Sequence, residues 1–350
     1  MAKDLVRIGM VGAGSISESH LAAARDGAGA KVVAVCDIIE ERARRRAAEF
    51  NIPEVYTDHR RMLEESDLDA VIVGVPNNVH HEITVNALKA GKHVLCEKPM
   101  AINTAAGEQM VAAAKESGKI LMVGLVNRMR SEVQTLRAMV DRNELGKVYY
   151  AKAMMIRRKG IPGWGSWFTR KEESGGGPLI DIGVHALDLA WFLIGCPKPV
   201  SVTGHTYTAF GPDRRGLGSW GIPDWTGYYD VEDLAVGMIR FENGAAINLE
   251  VSWALNMPPE TRINVIGEKA GALCTLDGNV RFFSEVDGEL VDTTRQGSKV
   301  SIFQAQLRHF TDAIREGKPV LTPGEHGLTV TRMLDGIYES AATGKEVRLD

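Results

Sequence analysis

The chain has 350 residues, of which 44% are hydrophobic and 25% charged, and its formal net charge is −4 at pH 7. This length exceeds what one hydrophobic core usually holds, so two domains are expected, and the mildly acidic balance argues against a nucleic-acid partner. No apolar run approaches the roughly 20 residues of a membrane span, and the amino terminus lacks a secretion pattern. The four cysteines form no CxxC pair, which favours buried thiols over disulfides or a metal site. A cytoplasmic protein without a membrane partner is therefore expected.

The amino-terminal segment has the order strand, glycine turn, helix, strand. The apolar run Leu5–Val11 precedes the turn Gly12–Ser17, a helix is predicted over Glu18–Asp26, and Lys31–Asp37 is the second strand. This order is typical of the βαβ unit that binds a dinucleotide. The first glycine permits a tight turn, the second lets the backbone approach a pyrophosphate, and a small serine replaces the usual third glycine. The expected pyrophosphate contacts are Gly12, Gly14, Ser15 and Ile16.

An acidic residue, Asp37, closes the second predicted strand. A carboxylate there can accept hydrogen bonds from the ribose hydroxyls and would repel a 2′-phosphate, which favours NAD over NADP. Arg42 and Arg44 follow it and keep NADP as the less favoured alternative. A glycine turn that served chain geometry alone would leave Asp37 unexplained.

Strand and helix patterns continue to alternate through Ala70–Val75, His93–Cys96 and Ile120–Gly124. Such alternation predicts a doubly wound parallel sheet, the Rossmann fold, over residues 1–126. Ligands of these sheets bind beyond the carboxyl ends of the strands. Two polar segments, Pro76–Asn78 and Glu97–Pro99, fall at such ends.

The pattern changes after Gly124. A helix is predicted over Ser131–Arg142, and Asn243-Gly244 is a strong hairpin signal. The remaining predicted strands are Lys147–Arg158, Asp233–Phe241, Ala245–Trp253, Arg262–Ile266 and Val280–Ser284, and the closing helices are Ile302–Arg315 and Gly324–Thr343. Residues 127–350 are therefore expected to form an α+β domain with a large, mostly antiparallel sheet.

Three polar residues interrupt the apolar segment Asp181–Phe192. Asp181, His185 and Asp188 recur at i, i+4 and i+7, which predicts one shared helix face. Burying such a face is costly unless its groups are paired or functional. A histidine titrates near neutral pH and suits general acid–base work, although a packing histidine satisfied by either aspartate is the alternative. A metal site is not expected, and Gly175–Gly177 is expected to let the backbone pass close to a ligand.

Several ordered motifs resemble the glucose–fructose oxidoreductase / inositol dehydrogenase / rhizopine-catabolism (Gfo/Idh/MocA) family over essentially the whole chain. The motifs are Val73–Glu82, Gly91–Pro99, Gly175–Asp188 and Tyr338–Lys345. The resemblance implies that the lysine of Glu97-Lys98-Pro99 reaches the active site, where an ammonium can stabilise a developing alkoxide. The alternative for this lysine is a surface position after a strand.

The resemblance implies the remaining site residues. The catalytic set is Lys98, His185 and Asp181; further cofactor contacts are Pro76, Asn77, His80, Glu97 and Lys98; the substrate contacts are Lys98, Asn127, Arg128, Asp181 and His185. Trp164 is added to the substrate contacts from the composition of its loop, Gly160–Arg170. Helix-start packing is an equal alternative for His80. Met129 and Ser131 depart from the aromatic residue and proline of many relatives, which puts that loop in doubt.

Two loops rich in Gly, Pro and Trp, Gly160–Arg170 and Gly211–Tyr229, contain four of the six tryptophans. Flat, partly polar rings suit the apolar faces of sugars, whereas loop packing or a subunit contact are the alternatives. Only the first loop, adjacent to the predicted catalytic helix, is assigned a substrate contact.

The function implied by the resemblance is NAD-dependent hydride transfer at a secondary hydroxyl or ketone of a sugar, glycoside or polyol. One alternative is a glycoside hydrolase that uses bound NAD for transient oxidation and elimination without net redox. Another is a non-catalytic sensor that binds the cofactor. The family resemblance also implies a homodimer or homotetramer.

Overall fold

The computed structural model describes residues 5–349, and these residues group into two compact units. The first unit runs to Val126 and also contains Ser301–Leu328, whereas the second contains Asn127–Val300 and the described residues from Thr329 onward. No helix within residues 5–349 is both long enough and apolar enough to cross a membrane. All four cysteines lie in this range and are free thiols.

The first unit alternates strands and helices. Its strands are β1 (Val6–Val11), β2 (Ala30–Cys36), β3 (Glu54–Tyr56), β4 (Ala70–Val73), β5 (His93–Cys96) and β6 (Leu121–Val123). The helices between them are α1 (Ser15–Arg25), α2 (Glu40–Phe50), α3 (His59–Glu65), α4 (His80–Lys89) and α5 (Thr104–Ser117). The strands form one parallel sheet in the order β3-β2-β1-β4-β5-β6, which confirms the predicted doubly wound fold.

The register of this sheet brings the carboxyl ends of its strands into one row. Val11 at the end of β1 pairs with Cys36 of β2 and with Val73 of β4. The strand order also reverses between β1 and β4, and dinucleotides bind at such a reversal. Backbone hydrogen bonds of 2.7 to 3.2 Å hold the first residue beyond β1, β2, β4, β5 and β6 at this edge: Gly12, Asp37, Gly74, Glu97 and Gly124.

The second unit is built on a nine-stranded sheet. Its strands are β7 (Val148–Ile156), β8 (Pro199–Tyr207), β9 (Leu234–Phe241), β10 (Ala246–Ser252), β11 (Glu260–Gly267), β12 (Ala270–Cys274), β13 (Asn279–Val286), β14 (Glu289–Gln296) and β15 (Val347–Arg348). The order is β14-β13-β12-β11-β7-β10-β9-β8-β15, and β7 with β10 is the one parallel pair among these strands. The mostly antiparallel sheet is therefore confirmed, as is the Asn243-Gly244 hairpin that joins β9 to β10.

Helices cover one face of the nine-stranded sheet. The helices are α6 (Ser131–Asp141), the short α7 (Lys171–Ser174) and α8 (Val184–Leu193), and a π-helical turn, Leu179–Gly183, leads into α8. Helix α8 is apolar on nearly all sides and lies against β7, β10 and β11 and beside α6. The sheet side chains on the covered face are small or branched and buried, such as Ala151, Leu249 and Val265. This packing fixes the position of the segment that carries Asp181 and His185.

The structure differs from the sequence expectations in its less apolar elements. Strands β3, β8, β12, β14 and β15 were not predicted, because their patterns are short or mixed; nearly all of β14 is exposed at the sheet edge. Helix α1 begins at Ser15, three residues before the predicted start, so the last three residues of the predicted turn already belong to the helix. Local hydrophobic periodicity therefore located the buried elements better than the edge strand.

The carboxyl-terminal helices divide between the units. They are α9 (Ile302–Glu316) and α10 (Gly324–Thr343), and the segment Ser301–Leu328 groups with the first unit, whereas the sequence analysis assigned it to the second domain. Helix α9 lies against α1, and its Thr311 hydroxyl donates to the Ala28 carbonyl at 2.8 Å. The segment after α9 also packs on the first unit, because the Thr322 hydroxyl donates a hydrogen bond to the Val123 carbonyl of β6 at 2.7 Å.

Candidate active site

The turn after β1 requires glycine at its first position. Gly12 has a φ of +96°, and a Cβ there would lie 2.2 Å from the Gly74 carbonyl oxygen. A Cβ on Gly14 would meet nothing within 4 Å, so this position faces open space at the start of α1. The Ser17 hydroxyl closes the turn by donating to the Gly14 carbonyl at 2.6 Å. The open approach and the helix N-terminus suit a diphosphate, because unpaired N–H groups and the helix dipole favour an anion.

The Asp37 carboxylate is fixed beside this turn. Its Oδ2 accepts a hydrogen bond from the Ala13 N–H at 2.8 Å, and its Oδ1 accepts one from the Ile39 N–H at 2.9 Å. A carboxylate at the end of the second strand fits the ribose of NAD and disfavours a 2′-phosphate. Arg44, one of the two arginines that kept NADP open, is already paired with Glu40 one helical turn away at 2.8 Å. The residues at this edge therefore fit NAD.

A buried hydrogen bond between the side chains of Glu97 and His20 holds the Glu97-Lys98-Pro99 segment. Glu97 Oε1 lies 2.7 Å from Nε2 of His20 on α1, and Glu97 Oε2 accepts the Lys98 N–H at 3.1 Å. Burial alone would raise the pKa of the Glu97 carboxyl, but the hydrogen bond and charge of His20, together with Lys98, hold it below its usual value. Lys98 itself is only half-buried, and the Lys98–Pro99 peptide is cis. Helix α1, which begins at the glycine turn after β1, thus fixes the backbone that carries Lys98.

His80 holds the same segment from its other side. It is almost completely buried at the start of α4, with Nδ1 2.8 Å from the Pro99 carbonyl and Nε2 2.9 Å from the Val75 carbonyl. Burial lowers the pKa of this imidazole, although both carbonyl contacts favour its protonated form. This placement favours the helix-start packing interpretation over direct cofactor contact. Pro76 and the buried Asn77 lie in the turn between β4 and α4.

In the second unit, Asp181 and His185 are the accessible residues of an otherwise buried segment. Every other residue from 181 to 194 is buried. Asp181 lies in the π-helical turn, where its Oδ2 accepts a hydrogen bond from the Trp253 indole N–H at 3.0 Å. Single π-helical turns recur at functional sites. The fold therefore presents one carboxylate and one imidazole from a rigid, apolar helix.

Asp188 does not share that accessible position. Its carboxylate is buried and binds the buried Arg128 guanidinium, with Nε 3.1 Å from both oxygens and Nη2 2.5 Å from Oδ1. Burial raises the pKa of the Asp188 carboxyl, and the charge and hydrogen bonds of Arg128 oppose that rise. The guanidinium also lies over the rings of Phe192 and Trp191, 4.6 and 5.8 Å from their centroids. This arrangement gives Arg128 a structural contact in place of the expected substrate contact.

The glycine segment before Asp181 packs against protein, not against an open ligand site. A Cβ on Gly176 would lie 2.0 Å from the Tyr338 hydroxyl, and one on Gly177 would lie 2.1 Å from the Glu232 carbonyl oxygen. The buried Glu232 carboxylate accepts hydrogen bonds from the N–H groups of Gly177 and Leu179, both at 3.0 Å, and from the Tyr338 hydroxyl at 2.8 Å. Sequence reasoning missed Glu232 and Tyr338, although Tyr338 opens the last motif of the resemblance.

The two remaining substrate candidates have partners within the second unit. Trp164 is 6% exposed, and its indole N–H donates to the Gly211 carbonyl at 2.8 Å. Asn127 is half-buried, and its side-chain oxygen accepts a hydrogen bond from Arg130 Nε at 2.8 Å. The predicted cofactor residues thus gather at one edge of the first sheet. In the second unit, Asp181 and His185 are the two accessible residues of one segment, whereas Arg128 is buried in the core.

Comparison with known proteins agrees with this geometry. Residues 6–125 match the model of the Gfo/Idh/MocA oxidoreductase family with an NAD-binding Rossmann fold, and residues 133–273 match the Gfo/Idh/MocA C-terminal domain. A D-glucoside 3-dehydrogenase of Escherichia coli (strain K12) is 35% identical, covering 100% of this chain and 99% of the relative. A scyllo-inositol 2-dehydrogenase (NAD(+)) of Bacillus subtilis (strain 168) is 28% identical, covering 84% and 82% respectively.

A solved structure shares the complete architecture. The oxidoreductase domain protein from Kribbella flavida superposes with a TM-score of 0.89 at 26% identity, covering 99% of this chain and 100% of that one. Together with the two family models, the full-length similarity to the glucoside dehydrogenase is decisive. The chain belongs to the Gfo/Idh/MocA family of NAD-binding oxidoreductases.

Proposed function

We propose that this protein is an NAD-dependent dehydrogenase that oxidises a secondary hydroxyl of a sugar, glycoside or polyol. The observation that carries the proposal is the pair Asp181 and His185, which stay accessible on a segment whose other residues are buried. A carboxylate and an imidazole that stay accessible on an otherwise buried, apolar segment suit a chemical role. The relative with 35% identity over the full length is named a glucoside dehydrogenase, which supports a sugar substrate.

Bound NAD supplies the hydride acceptor for this chemistry. His185 takes the proton of the reacting hydroxyl as the C–H hydride leaves, so one proton and one hydride depart and a ketone remains. Lys98 donates a hydrogen bond to the reacting oxygen and stabilises its alkoxide character. Asp181, whose orientation is fixed by Trp253, binds a neighbouring hydroxyl or orients the His185 ring. The reverse reaction uses the same groups with His185 as the acid.

The proposed cofactor site is the carboxyl edge of the first sheet. Gly12 and Gly14 shape the turn, the N–H groups of Ser15 and Ile16 bind the diphosphate, and Asp37 binds the adenosine ribose. Pro76, Asn77 and the backbone near Glu97 and Lys98 complete it, with His80 acting through Pro99. We propose residues 1–126 together with Ser301–Leu328 as the cofactor domain, and residues 127–300 together with the residues from Thr329 onward as the substrate domain. Among the substrate candidates, we retain Asn127 and assign Arg128 to positioning α8.

The test is NADH formation by the purified protein with NAD and matched panels of polyols, free sugars and glycosides. The proposal predicts absorbance at the NADH wavelength with at least one secondary alcohol, together with a stoichiometric ketone product. Release of free sugar from a glycoside without net NADH would instead identify the hydrolase that works by transient oxidation. Tight NAD binding with neither product would identify a sensor and reject the catalytic proposal.

We propose a cytoplasmic homodimer or homotetramer, with no nucleic-acid or membrane partner. The free thiols suit a reducing compartment, and the net charge of −4 disfavours binding to phosphate backbones. The sheet face opposite α8 carries half-buried side chains of mixed character, including Tyr150, Arg262 and Ile266, and is the proposed contact. Light scattering after size-exclusion chromatography tests this directly, since a monomer at micromolar concentration would reject it.

A further inference from the structure

Three large aromatic side chains remain exposed on the loop between β8 and β9. Trp220, Trp225 and Tyr228 have exposed fractions of 50%, 53% and 50%. Large exposed aromatic surface on a folded protein marks a binding region more often than chance, and the chemistry assigned to Lys98, Asp181 and His185 does not use these rings. We call these three side chains the aromatic platform.

The backbone under the aromatic platform is rigidly held. The loop that carries it pairs with the loop 160–170: the Gly163 N–H donates to the Trp220 carbonyl at 3.0 Å, and the Asp224 N–H donates to the Trp164 carbonyl at 2.8 Å. A Cβ on Gly165 would lie 1.9 Å from the Asp224 carbonyl oxygen, so the backbones of the two loops are in contact. The loops Gly160–Arg170 and Gly211–Tyr229, together called the double loop, therefore hold the exposed rings in place.

Ring contacts fix the orientation of the two tryptophans. Trp225 stacks on the buried Trp164 with centroids 6.0 Å apart and planes 22° apart. Trp220 meets Phe168 in an edge-on arrangement with centroids 4.6 Å apart. Both rings are thus ordered by aromatic partners while about half of each stays accessible, which lowers the entropy cost of binding a ligand.

The double loop is joined to the residues that hold Asp181. Lys159 forms a bridge with Ala254, directly after Trp253, whose indole binds the Asp181 carboxylate. The loop between β8 and β9 continues in sequence to Glu232. The Glu232 carboxylate accepts hydrogen bonds from the N–H groups of Gly177 and Leu179, which precede Asp181. The aromatic platform therefore belongs to the same structural block as the proposed catalytic carboxylate.

Charged groups are interleaved with the platform rings. Arg170 lies over the Tyr228 ring at 5.8 Å and pairs with Asp224 at 2.9 Å, and Asp224 is directly followed in sequence by Trp225. Arginine and aromatic residues are common in the cores of protein–protein interfaces, but aspartate is depleted there, so the carboxylate of Asp224 among the rings disfavours a second copy of this chain as the occupant. Aromatic faces bordered by fixed charged hydrogen-bonding groups instead match a pyranose, whose ring face is apolar and whose rim carries hydroxyls.

We propose that the aromatic platform binds a second pyranose ring, the one linked to the sugar ring that is oxidised, so that the preferred substrates are disaccharides. This inference rests on the proposed dehydrogenase function and narrows its substrate class. It places substrate selection in the loop between β8 and β9, apart from the residues that carry out proton and hydride transfer.

The test compares matched one-ring and two-ring substrates. Methyl glycosides and disaccharides with gluco, galacto and manno configurations are assayed for NADH formation with the wild type, Trp225→Ala, Trp225→Phe and Trp220→Ala. One lost aromatic contact corresponds to a change of about tenfold, so each alanine variant should lower the two-ring to one-ring ratio of kcat/KM about tenfold, mainly through KM. Trp225→Phe should restore most of the ratio. Tyr149→Ala, which removes an exposed ring outside the platform, is the matched control.

A direct binding measurement separates this inference from the proposed function. Titration of the NAD-loaded protein with each disaccharide, followed by tryptophan fluorescence or calorimetry, should show binding that Trp225→Ala weakens, whether or not NADH forms. A ratio unaffected by both alanine variants, or disaccharide binding equal in wild type and Trp225→Ala, would overturn the platform. Loss of self-association in Trp225→Ala, without a change in the ratio, would assign the rings to an interface between copies.

Discussion

The Glu97 carboxylate shows how one buried side chain connects two parts of the proposed cofactor site. It binds His20 of α1, the helix that begins at the glycine turn, and it also accepts a hydrogen bond from the Lys98 N–H. Its pKa is held below the usual value, so its contribution to stability is present above the ordinary carboxyl pKa of 4.5. That contribution is lost as the pH falls through the lower folded pKa, where the carboxylate gains a proton.

Replacing Glu97 by glutamine should therefore destabilise the protein in a pH-dependent manner. At pH 7, Glu97→Gln should lower the free energy of unfolding by about 1.5 to 3 kcal/mol, the usual value for a hydrogen bond to a charged group. The difference from wild type should shrink as the pH is lowered below 4.5. Urea denaturation at several pH values measures this, with the exposed Glu41→Gln as control. A gap that stays constant with pH would show that the Glu97 charge contributes nothing.

Asp37 sets the expected cofactor preference. Asp37→Ser removes the carboxylate proposed to bind the ribose hydroxyls and to repel a 2′-phosphate, while a small polar side chain remains at the turn. The ratio of kcat/KM for NAD over NADP should fall about 10- to 100-fold, as expected for the loss of a charge-assisted hydrogen bond. Steady-state assays with both cofactors measure the ratio. An unchanged ratio would move cofactor selection away from this residue.

At the scale of single elements, α8 depends on an ion pair that it buries. Asp188 projects from α8 to Arg128, and both side chains are almost completely enclosed. A buried pair of this kind adds little beyond an apolar replacement, but breaking it leaves an isolated charge in a dry environment. The pair therefore determines how α8 sits on α6 and the sheet, and with it the position of His185.

Arg128→Met should cost about 3 to 5 kcal/mol of stability, because Asp188 then stays buried without a counter-charge. The double variant Arg128→Met/Asp188→Leu should recover most of the loss, since it removes both charges. Chemical denaturation of the wild type, the single variant and the double variant measures the coupling. Equal destabilisation in the single and double variants would mean that packing of the arginine, and not its charge pairing, holds the helix.

At the scale of the whole molecule, the sequence predicts those structural features that are determined by residues close together in the chain. The glycine turn, the parallel strands and the row of residues at their carboxyl ends follow from short patterns, and the structure confirms the sheet. The helix carrying His185 was also predicted at the right place. The prediction that Asp181, His185 and Asp188 share one face assumed a regular α-helix, which the structure does not have there. The π-helical turn at Leu179–Gly183 changes the spacing, and Asp188 is directed to Arg128.

Contacts between distant parts of the chain were not predictable from local patterns. Arg128 and Asp188 are 60 residues apart, and Glu232 and Tyr338 are 106 apart. The grouping of Ser301–Leu328 with the first unit has the same origin, because α9 finds its partner α1 almost 300 residues earlier in the chain. No periodicity identifies such partners, since each side chain looks like an ordinary surface charge or helix face in its own segment.

In the proposed mechanism, His185 transfers the substrate proton during NAD-dependent oxidation. The most direct test is the turnover number of His185→Ala with a substrate identified for the wild type, beside His205→Ala, which alters an exposed histidine on β8. We expect His185→Ala to lower kcat about 100- to 10,000-fold with NAD affinity retained, as for loss of a general base. Unchanged turnover in His185→Ala would contradict the proposed mechanism.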